Sequence, residues 1–248
     1  MKILATDLDG TLFIENTLIQ GVLESIRHLY ESGFKIYFTT NNSSQTLDEL
    51  KLKLEKLLNL PVDLENIVTP LLIFDEQFKN KFNQIYVYGS PQLKNYIKSM
   101  NKLSSSLKSS DCILLGRKEK IDNIEINKII NQIKNNKKEV LCLNKDLTYP
   151  GKFNELPGNG TVVKIIEDEL NIDIKSLGKP GDYYSSYFIK KNIKIDYVVG
   201  DRVDTDILFG NSVNAVTFLV KTGVVNTYSE NLANHVVENF SEFVSFVS

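Results

Sequence analysis

MKILATDLDGTLF, residues 1–13, is the stretch on which the reading of this chain turns. An apolar run, KILAT (2–6), ends in Asp7-Leu8-Asp9-Gly10-Thr11. Side chains alternate along an extended chain, so Asp7 and Asp9 project to one side while Leu8 points away. Gly10 then frees the backbone for a sharp turn. Two carboxylates this close repel each other unless a cation lies against them or one holds a proton. The pair is costly to place at the end of a buried strand, and that cost asks for a chemical reason.

Working outward, strands and helices alternate. KILAT is followed by GVLESIRHLYESG (21–33), with apolar residues at helical spacing and a glycine stop, and then by the strand KIYFTT (35–40). SQTLDELKLKLEKLLN (44–59) reads as an amphipathic helix. QIYVYG (84–89), DCILLG (111–116) and EVLCLN (139–144) read as strands, with helical stretches near 91–100 and 122–136. PGNG (157–160) reads as a turn that starts the helix TVVKIIEDEL. KIDYVVGD (194–201) and AVTFLV (215–220) are further strands, separated by a short helix in DILFGNSVN. This alternation predicts an α/β protein with a mostly parallel sheet, helices on both faces and right-handed crossovers. The middle of the chain repeats the pattern yet places few charged groups at its strand ends. The expectation is a core formed by 1–76 and 176–248, interrupted by an inserted α/β unit at 77–175.

The bulk numbers restrict the function classes. The 248 residues carry 29 Lys+Arg against 31 Asp+Glu, a net charge of −2, which gives no basic surplus for a nucleic-acid groove. No apolar run approaches a membrane span, and Asp7 and Asp9 interrupt the first one too early for a signal peptide. A cytoplasmic protein is the expectation. Cys112 and Cys142 lie in apolar stretches without CxxC spacing and read as buried strand thiols. His28 and His235 stand alone and read as packing or surface residues rather than metal ligands.

Ligands of open α/β sheets bind beyond the carboxyl ends of the strands. There the sequence places Asp7-Leu8-Asp9-Gly10-Thr11, Thr39-Thr40-Asn41-Asn42-Ser43 and Gly200-Asp201-Arg202-Val203-Asp204-Thr205-Asp206, with Gly178-Lys179-Pro180 before the last of these strands. The expectation is that all four clusters converge on one edge. Three acidic positions suit Mg²⁺, which prefers oxygen ligands, and do not suit zinc. Thr40, Asn41 and Asn42 offer hydroxyl, amide and backbone donors just before a helix, and Lys179 offers a mobile positive charge. Pro180 is placed to start a helix. Acids with a metal on one side, and Thr, Asn and Lys on the other, describe a phosphoryl site.

DLDGT, TTNNSS, GKP and GDRVDTDI, in that order, resemble the four motifs of the haloacid dehalogenase superfamily of phosphohydrolases. TNNSS, PGNGT, GDRVDTDI and LVKTGV are similar to its NagD / 4-nitrophenylphosphatase branch, which includes pyridoxal phosphate and phosphoglycolate phosphatases. The resemblance spans nearly the whole chain. It implies a Rossmann-like, doubly wound parallel-sheet core with a large α/β cap inserted between the second and third motifs.

The resemblance also implies roles. Asp7 would be the nucleophile that forms an aspartyl phosphate. Asp9 would be the general acid and then the base, giving Mg²⁺ only its backbone carbonyl. Asp7, Asp9 and Asp201 would be the metal ligands. Thr40, Asn41, Asn42 and Lys179 would hold the phosphoryl oxygens. Asp206 would orient metal waters or the lysine from behind, or cap the helix that follows, or both. Asp204 reads as a loop residue, and Arg202 as a surface residue, with Asp204 or a phosphate neighbour as its candidate partner. In the cap, Arg117 and Lys118 stand where the family carries an acidic or polar residue. They read as a solvated loop, with an acidic leaving group as the alternative. Asn144 and Asp146 of NKDLTYP (144–150) are candidates to touch substrate.

The expected reaction is Mg²⁺-dependent hydrolysis of a small phosphomonoester. Candidate substrates are 4-nitrophenyl phosphate, pyridoxal phosphate, phosphoglycolate and sugar phosphates. The alternatives are a phosphotransferase or mutase, and a non-catalytic metabolite-binding or regulatory protein on the same fold. The first usually has a smaller cap between the first two motifs; the second predicts loss of a catalytic acid, yet Asp7, Asp9, Lys179 and Asp201 are all present. Family members often pair through the cap, so a homodimer stays open.

Overall fold

The structure is a computed structural model that describes residues 1–150, 155–223 and 229–247. The first stretch of chain forms β1 (Ile3–Thr6), β2 (Phe13–Ile14), β3 (Thr17–Leu18), α1 (Val22–Glu31), β4 (Lys35–Thr39), α2 (Leu47–Leu58) and β5 (Ile67–Val68). The middle forms α3 (Pro70–Phe78), β6 (Ile85–Tyr88), α4 (Pro91–Ser99), β7 (Cys112–Leu115), α5 (Asn123–Asn136), β8 (Glu139–Cys142), β9 (Thr148–Pro150), β10 (Glu155–Pro157), α6 (Asn159–Leu170) and β11 (Lys175–Ser176). The last stretch forms α7 (Asp182–Lys190), β12 (Tyr197–Gly200), α8 (Leu208–Ser212), β13 (Val216–Val220), β14 (His235–Val237) and α9 (Phe240–Val247).

Two compact units result. One comprises 1–40, 46–69 and 184–248, and the other 41–45 and 70–183. The expected junctions at 76/77 and 175/176 fall within α3 and β11. The long excursion into the second unit runs from 69/70 to 183/184, and 41–45 make a short one before it. The reason is the side chemistry of α3: Phe78 stacks on Phe82 and meets Tyr183 edge-on at 4.8 Å, and Gln77 Nε2 donates to the Tyr183 carbonyl at 2.9 Å.

The first unit is built on a six-stranded parallel sheet of order β14-β13-β12-β1-β4-β5. From β1 the chain steps one way through β4 and β5, and later the other way through β12, β13 and β14. β1 therefore lies at the switch point, where open α/β sheets form a crevice at the strand ends. Its residues Leu4 and Ala5 are fully buried, as covered parallel strands require. α1 turns Val22, Ile26 and Leu29 inward at helical spacing. α2 opens on a capping box: Thr46 Oγ1 accepts from the Glu49 N–H, and Glu49 returns a carboxylate oxygen to the Thr46 N–H at 2.8 Å. Phe240, Phe243, Val244 and Val247 seat α9 in the same core as Leu4, Ile36 and Phe218.

The second unit has a four-stranded parallel sheet of order β11-β8-β7-β6 and a separate two-stranded hairpin of β9 and β10. Ile126, Ile129 and Ile130 of α5 and Val162, Val163 and Ile166 of α6 pack on Tyr88, Ile113, Leu115 and Cys142. Cys112 and Cys142 are buried thiols in β7 and β8, as expected. Among the described residues no helix is long and apolar enough to cross a membrane.

Candidate active site

Three of the four polar clusters stand at the ends of adjacent strands. In the register, Thr6 of β1 lies beside Phe38 of β4 and Val199 of β12. Asp7, Thr40 and Asp201 therefore leave neighbouring strands of the order β12-β1-β4 at nearly the same height. The Asp7 N–H continues the ladder to the Val199 carbonyl at 2.8 Å. Leu8 is fully buried in the core, so the alternation of the DLD turn is as read from the sequence. The turn closes on itself: the Leu8 carbonyl accepts from the N–H groups of Thr11, Leu12 and Phe13, and the Gly10 N–H donates to the Phe13 carbonyl at 2.8 Å.

Asp7, Asp201 and Asp206 each bring a carboxylate oxygen within 4.8 Å of the other two, and all three residues are buried. At that spacing each pair of charges repels by about 3 kcal/mol at an effective dielectric of 20. The donor set is all carboxylate oxygen, which suits Mg²⁺ and lacks the His or Cys that zinc sites usually include. Backbone packing supports the same placement. Gly10, at φ +87°, passes so close to Asp201 that a Cβ there would stand 2.6 Å from its Oδ2. These residues fit a divalent cation. Thr11 Oγ1 reaches Asp7 Oδ2 at 3.4 Å, and Thr222 Oγ1 donates to the Gly10 carbonyl at 2.6 Å. Asp9 is half-buried and its carboxylate is not one of the three.

Asp206 reaches the cluster because 203–207 form a single π-helical turn after β12. Its Oδ2 accepts from the Arg202 N–H at 3.1 Å, and it caps no helix: α8 starts later, after Ile207. The N-cap reading of Asp206 is thus corrected by the wider turn. The resemblance already sets Asp206 behind the metal waters; what the sequence does not show is the π turn that brings its carboxylate directly beside those of Asp7 and Asp201. Asp204 lies in the same π-helical turn rather than in a loop, and of the two partners open to Arg202 the structure shows Asp204, with Nε to Oδ1 at 3.1 Å and an Nη to Oδ2 at 2.7 Å.

Thr40 is buried at the end of β4, where its N–H donates to the Val68 carbonyl at 3.1 Å. Asn41, Asn42 and Lys179 belong to the second unit. GKP does not stand at the end of a strand of the six-stranded sheet. It follows β11, and the Leu177 N–H pairs with the Cys142 carbonyl at 2.8 Å. Pro180 does not open a helix, which begins at Asp182. Lys179 is buried, and its backbone is held by Asn41: its N–H donates to Asn41 Oδ1 at 2.7 Å, and its carbonyl accepts from Asn41 Nδ2 at 3.0 Å. Asn42 Oδ1 accepts from the Ser44 N–H and hydroxyl at 2.9 and 2.6 Å, an Asx turn before α2.

Elsewhere in the second unit, Lys118 is tied to Asp122 at 3.1 Å and Glu125 at 2.6 Å, and Arg117 lies 4.2 Å over the Tyr149 ring. The segment is a fastened loop rather than a solvated one. PGNGT starts α6 as expected, and Asn159 Nδ2 donates to the carbonyls of Asn144 at 2.8 Å and Leu115 at 3.2 Å. Val224, the last residue of LVKTGV, lies outside the described residues.

Two family models match the chain: haloacid dehalogenase-like hydrolase over residues 4–102, and HAD-hydrolase-like over 177–243. Among curated proteins the chain is similar to the 5'-nucleotidase YutF of Bacillus subtilis, 24% identical over 97% of this chain and 96% of that one. It is likewise similar to an acid sugar phosphatase of Staphylococcus epidermidis, 26% identical over 95% of this chain and 92% of that one. Among solved structures, 4-nitrophenylphosphatase of Thermotoga maritima superposes with a TM-score of 0.84 at 24% identity, covering 100% of this chain and 98% of the other. With the motifs in order and both models aligned to the segments that carry them, the chain belongs to the haloacid dehalogenase-like hydrolases.

Proposed function

We propose that the chain is a Mg²⁺-dependent phosphatase that hydrolyses small phosphomonoesters through an aspartyl phosphate on Asp7. The observation that carries this reading is the buried group of Asp7, Asp201 and Asp206 at the switch point of the six-stranded sheet. The relatives reported above bear names of phosphatases and a nucleotidase, which supports the reaction class and leaves the leaving group open.

In this reading Asp7 attacks phosphorus, and the ester oxygen leaves as Asp9 gives it a proton. Asp9 then takes a proton from the water that opens the acyl phosphate. Asp7 and Asp201, with the backbone carbonyl of Asp9, would hold Mg²⁺, and Asp206 would either join them or orient bound water. When bound, Mg²⁺ offsets the charge of the phosphoryl group and its repulsion by Asp7. Thr40, the backbone donors at Asn41 and Asn42, and Lys179 hold the phosphoryl oxygens. The division into core and cap, with the cap setting specificity for the leaving group, belongs to the same proposal.

The test is phosphate release across 4-nitrophenyl phosphate, pyridoxal phosphate, phosphoglycolate, sugar phosphates and nucleoside monophosphates, with Mg²⁺ and with EDTA. Release that needs the metal supports the reading, and the preferred ester names the leaving group. Release that ignores EDTA contradicts the metal assignment.

A further inference from the structure

Asn41 follows Thr40 directly, and its amide is an obvious candidate to donate to a phosphoryl oxygen. The hydrogen bonds assign it elsewhere. A side-chain amide has two N–H donors on nitrogen and one acceptor oxygen. Asn41 Nδ2 gives one bond to the Lys179 carbonyl at 3.0 Å and the other to Asp146 Oδ1 at 2.8 Å. Its Oδ1 accepts from the Lys179 N–H at 2.7 Å. Both donors are used, and the amide grips Lys179 at its N–H and its carbonyl together.

The grip is itself held. An amide can turn end for end, and a flipped Asn41 would set its Oδ1 against Asp146 and its NH₂ against the Lys179 N–H. An ionised carboxylate only accepts hydrogen bonds, so Asp146 fixes which end of the amide is nitrogen. Asn144 Nδ2 donates to the Asn41 carbonyl at 2.8 Å, and Asn159 Nδ2 to the Asn144 carbonyl at 2.8 Å. Gly178 leaves the space for this approach: a Cβ there would stand 2.6 Å from Asn41 Oδ1 and 2.7 Å from the Leu143 carbonyl oxygen. Asn41, Asn144, Asn159 and Lys179 are all buried, so a broken bond is not readily replaced by water.

We infer that Asn41 and Asp146 are positioning residues for Lys179: the Asn41 amide clamps the lysine backbone, and Asp146 sets the orientation of that amide. The inference rests on the reading of Lys179 as the cation that holds the phosphoryl group. It reassigns Asn41 and Asp146 from contact with substrate to control of the group that makes it.

The experiment is a double-mutant cycle on kcat and KM for 4-nitrophenyl phosphate with Mg²⁺, with the Kd of inorganic phosphate and the melting temperature measured on each protein. Asn41→Ala and Asp146→Ala are each expected to lower kcat/KM by roughly 10- to 100-fold, the scale of a misplaced catalytic group. Asp146→Asn, whose amide oxygen can accept the same bond, is expected to stay within about threefold of the unmodified protein. In the Lys179→Ala background, Asn41→Ala is expected to cost less than about threefold. Effects of Asn41→Ala and Lys179→Ala that multiply would overturn the inference, since Asn41 would then act on its own. Equal damage from Asp146→Asn and Asp146→Ala would overturn the role given to Asp146. If Lys179→Ala alone leaves both kcat/KM and phosphate affinity intact, the reading of Lys179 fails, and the inference with it. Should Asn41→Ala not fold, the Asp146 pair, at a half-buried site, decides the matter.

Discussion

Gly223 and Asp201 lie so close that a Cβ on the glycine would stand 1.8 Å from Oδ2 of the aspartate. The carboxylate of Asp201 therefore occupies the space that a side chain at 223 would need. Gly223→Ala has to push it aside. We expect at least about tenfold weaker Mg²⁺ binding and a matching loss of turnover, while the six-stranded sheet survives. A calorimetric Mg²⁺ titration checks this. Gly33→Ala is the control: its φ is +77° but nothing lies within 4 Å of the added Cβ, so it should cost only about 1 kcal/mol of stability and leave metal binding unchanged.

Crowding of Asp7, Asp201 and Asp206 predicts an unusual stability pattern. Without a divalent cation, Asp7→Asn or Asp206→Asn relieves repulsion and should raise the melting temperature, or leave it unchanged, despite the loss of a native acid. With Mg²⁺ at 100 times its Kd, the unmodified protein should gain about 2.7 kcal/mol, and the variants distinctly less. Thermal melts in EDTA and in Mg²⁺ make the comparison. A variant that loses stability in EDTA would contradict the repulsion.

Both cysteines should be silent in the folded protein. Burial pushes the Cys142 thiol up to about 12 and raises that of Cys112 further. Thiolate is the reactive form, so neither should react with a thiol reagent at pH 8 on the timescale of a free cysteine. In denaturant both should react at once. Fast labelling of the folded protein would contradict the burial of β7 and β8.

Asp111 gives a pH dependence with a definite sign. Backbone N–H bonds from Asn83 and Gln84, at 2.9 and 3.0 Å to its Oδ2, hold its carboxyl below the usual range. A lowered folded pKa contributes stability above the unfolded value near 4 that is lost as pH falls through the folded one. The site is exposed, so the effect at neutral pH is under about 1 kcal/mol. Asp111→Asn should lower the melting temperature at pH 7, and the difference should shrink below pH 4. A difference that persists into acid would point to another cause.

Much of the fold was legible because its longer strands are buried apolar runs punctuated by glycine or asparagine. β1, β4, β6, β7, β8, β12 and β13 all lie where such runs predict them. What escaped reading is short or uniformly apolar. β5 has two residues and β14 three, too few to show a period. α9 is rich in Phe and Val and looks like strand material, yet Phe240, Phe243, Val244 and Val247 take helical spacing against the core. α3 buries Pro70, Leu71, Ile73 and Phe74, which blurs its helical stripe.

The acids at the strand ends were legible from residue type and position alone. The π-helical turn that carries Asp206 beside Asp7 and Asp201 was not, since sequence periodicity does not reveal such a turn. Nor was the task of the Asn41 amide, because its partners Lys179 and Asp146 are 138 and 105 residues away. Residue type told that Asn41 could donate; only the fold tells to what.

The most direct test of the central claim is phosphate release from 4-nitrophenyl phosphate with Mg²⁺, measured side by side for the unmodified protein and for Asp7→Asn of matched folding. If Asp7 is the nucleophile, the variant should lose at least about a thousandfold in kcat. Near-normal turnover in Asp7→Asn would contradict the mechanism, because the ester would then be opened without the carboxylate on which the account depends.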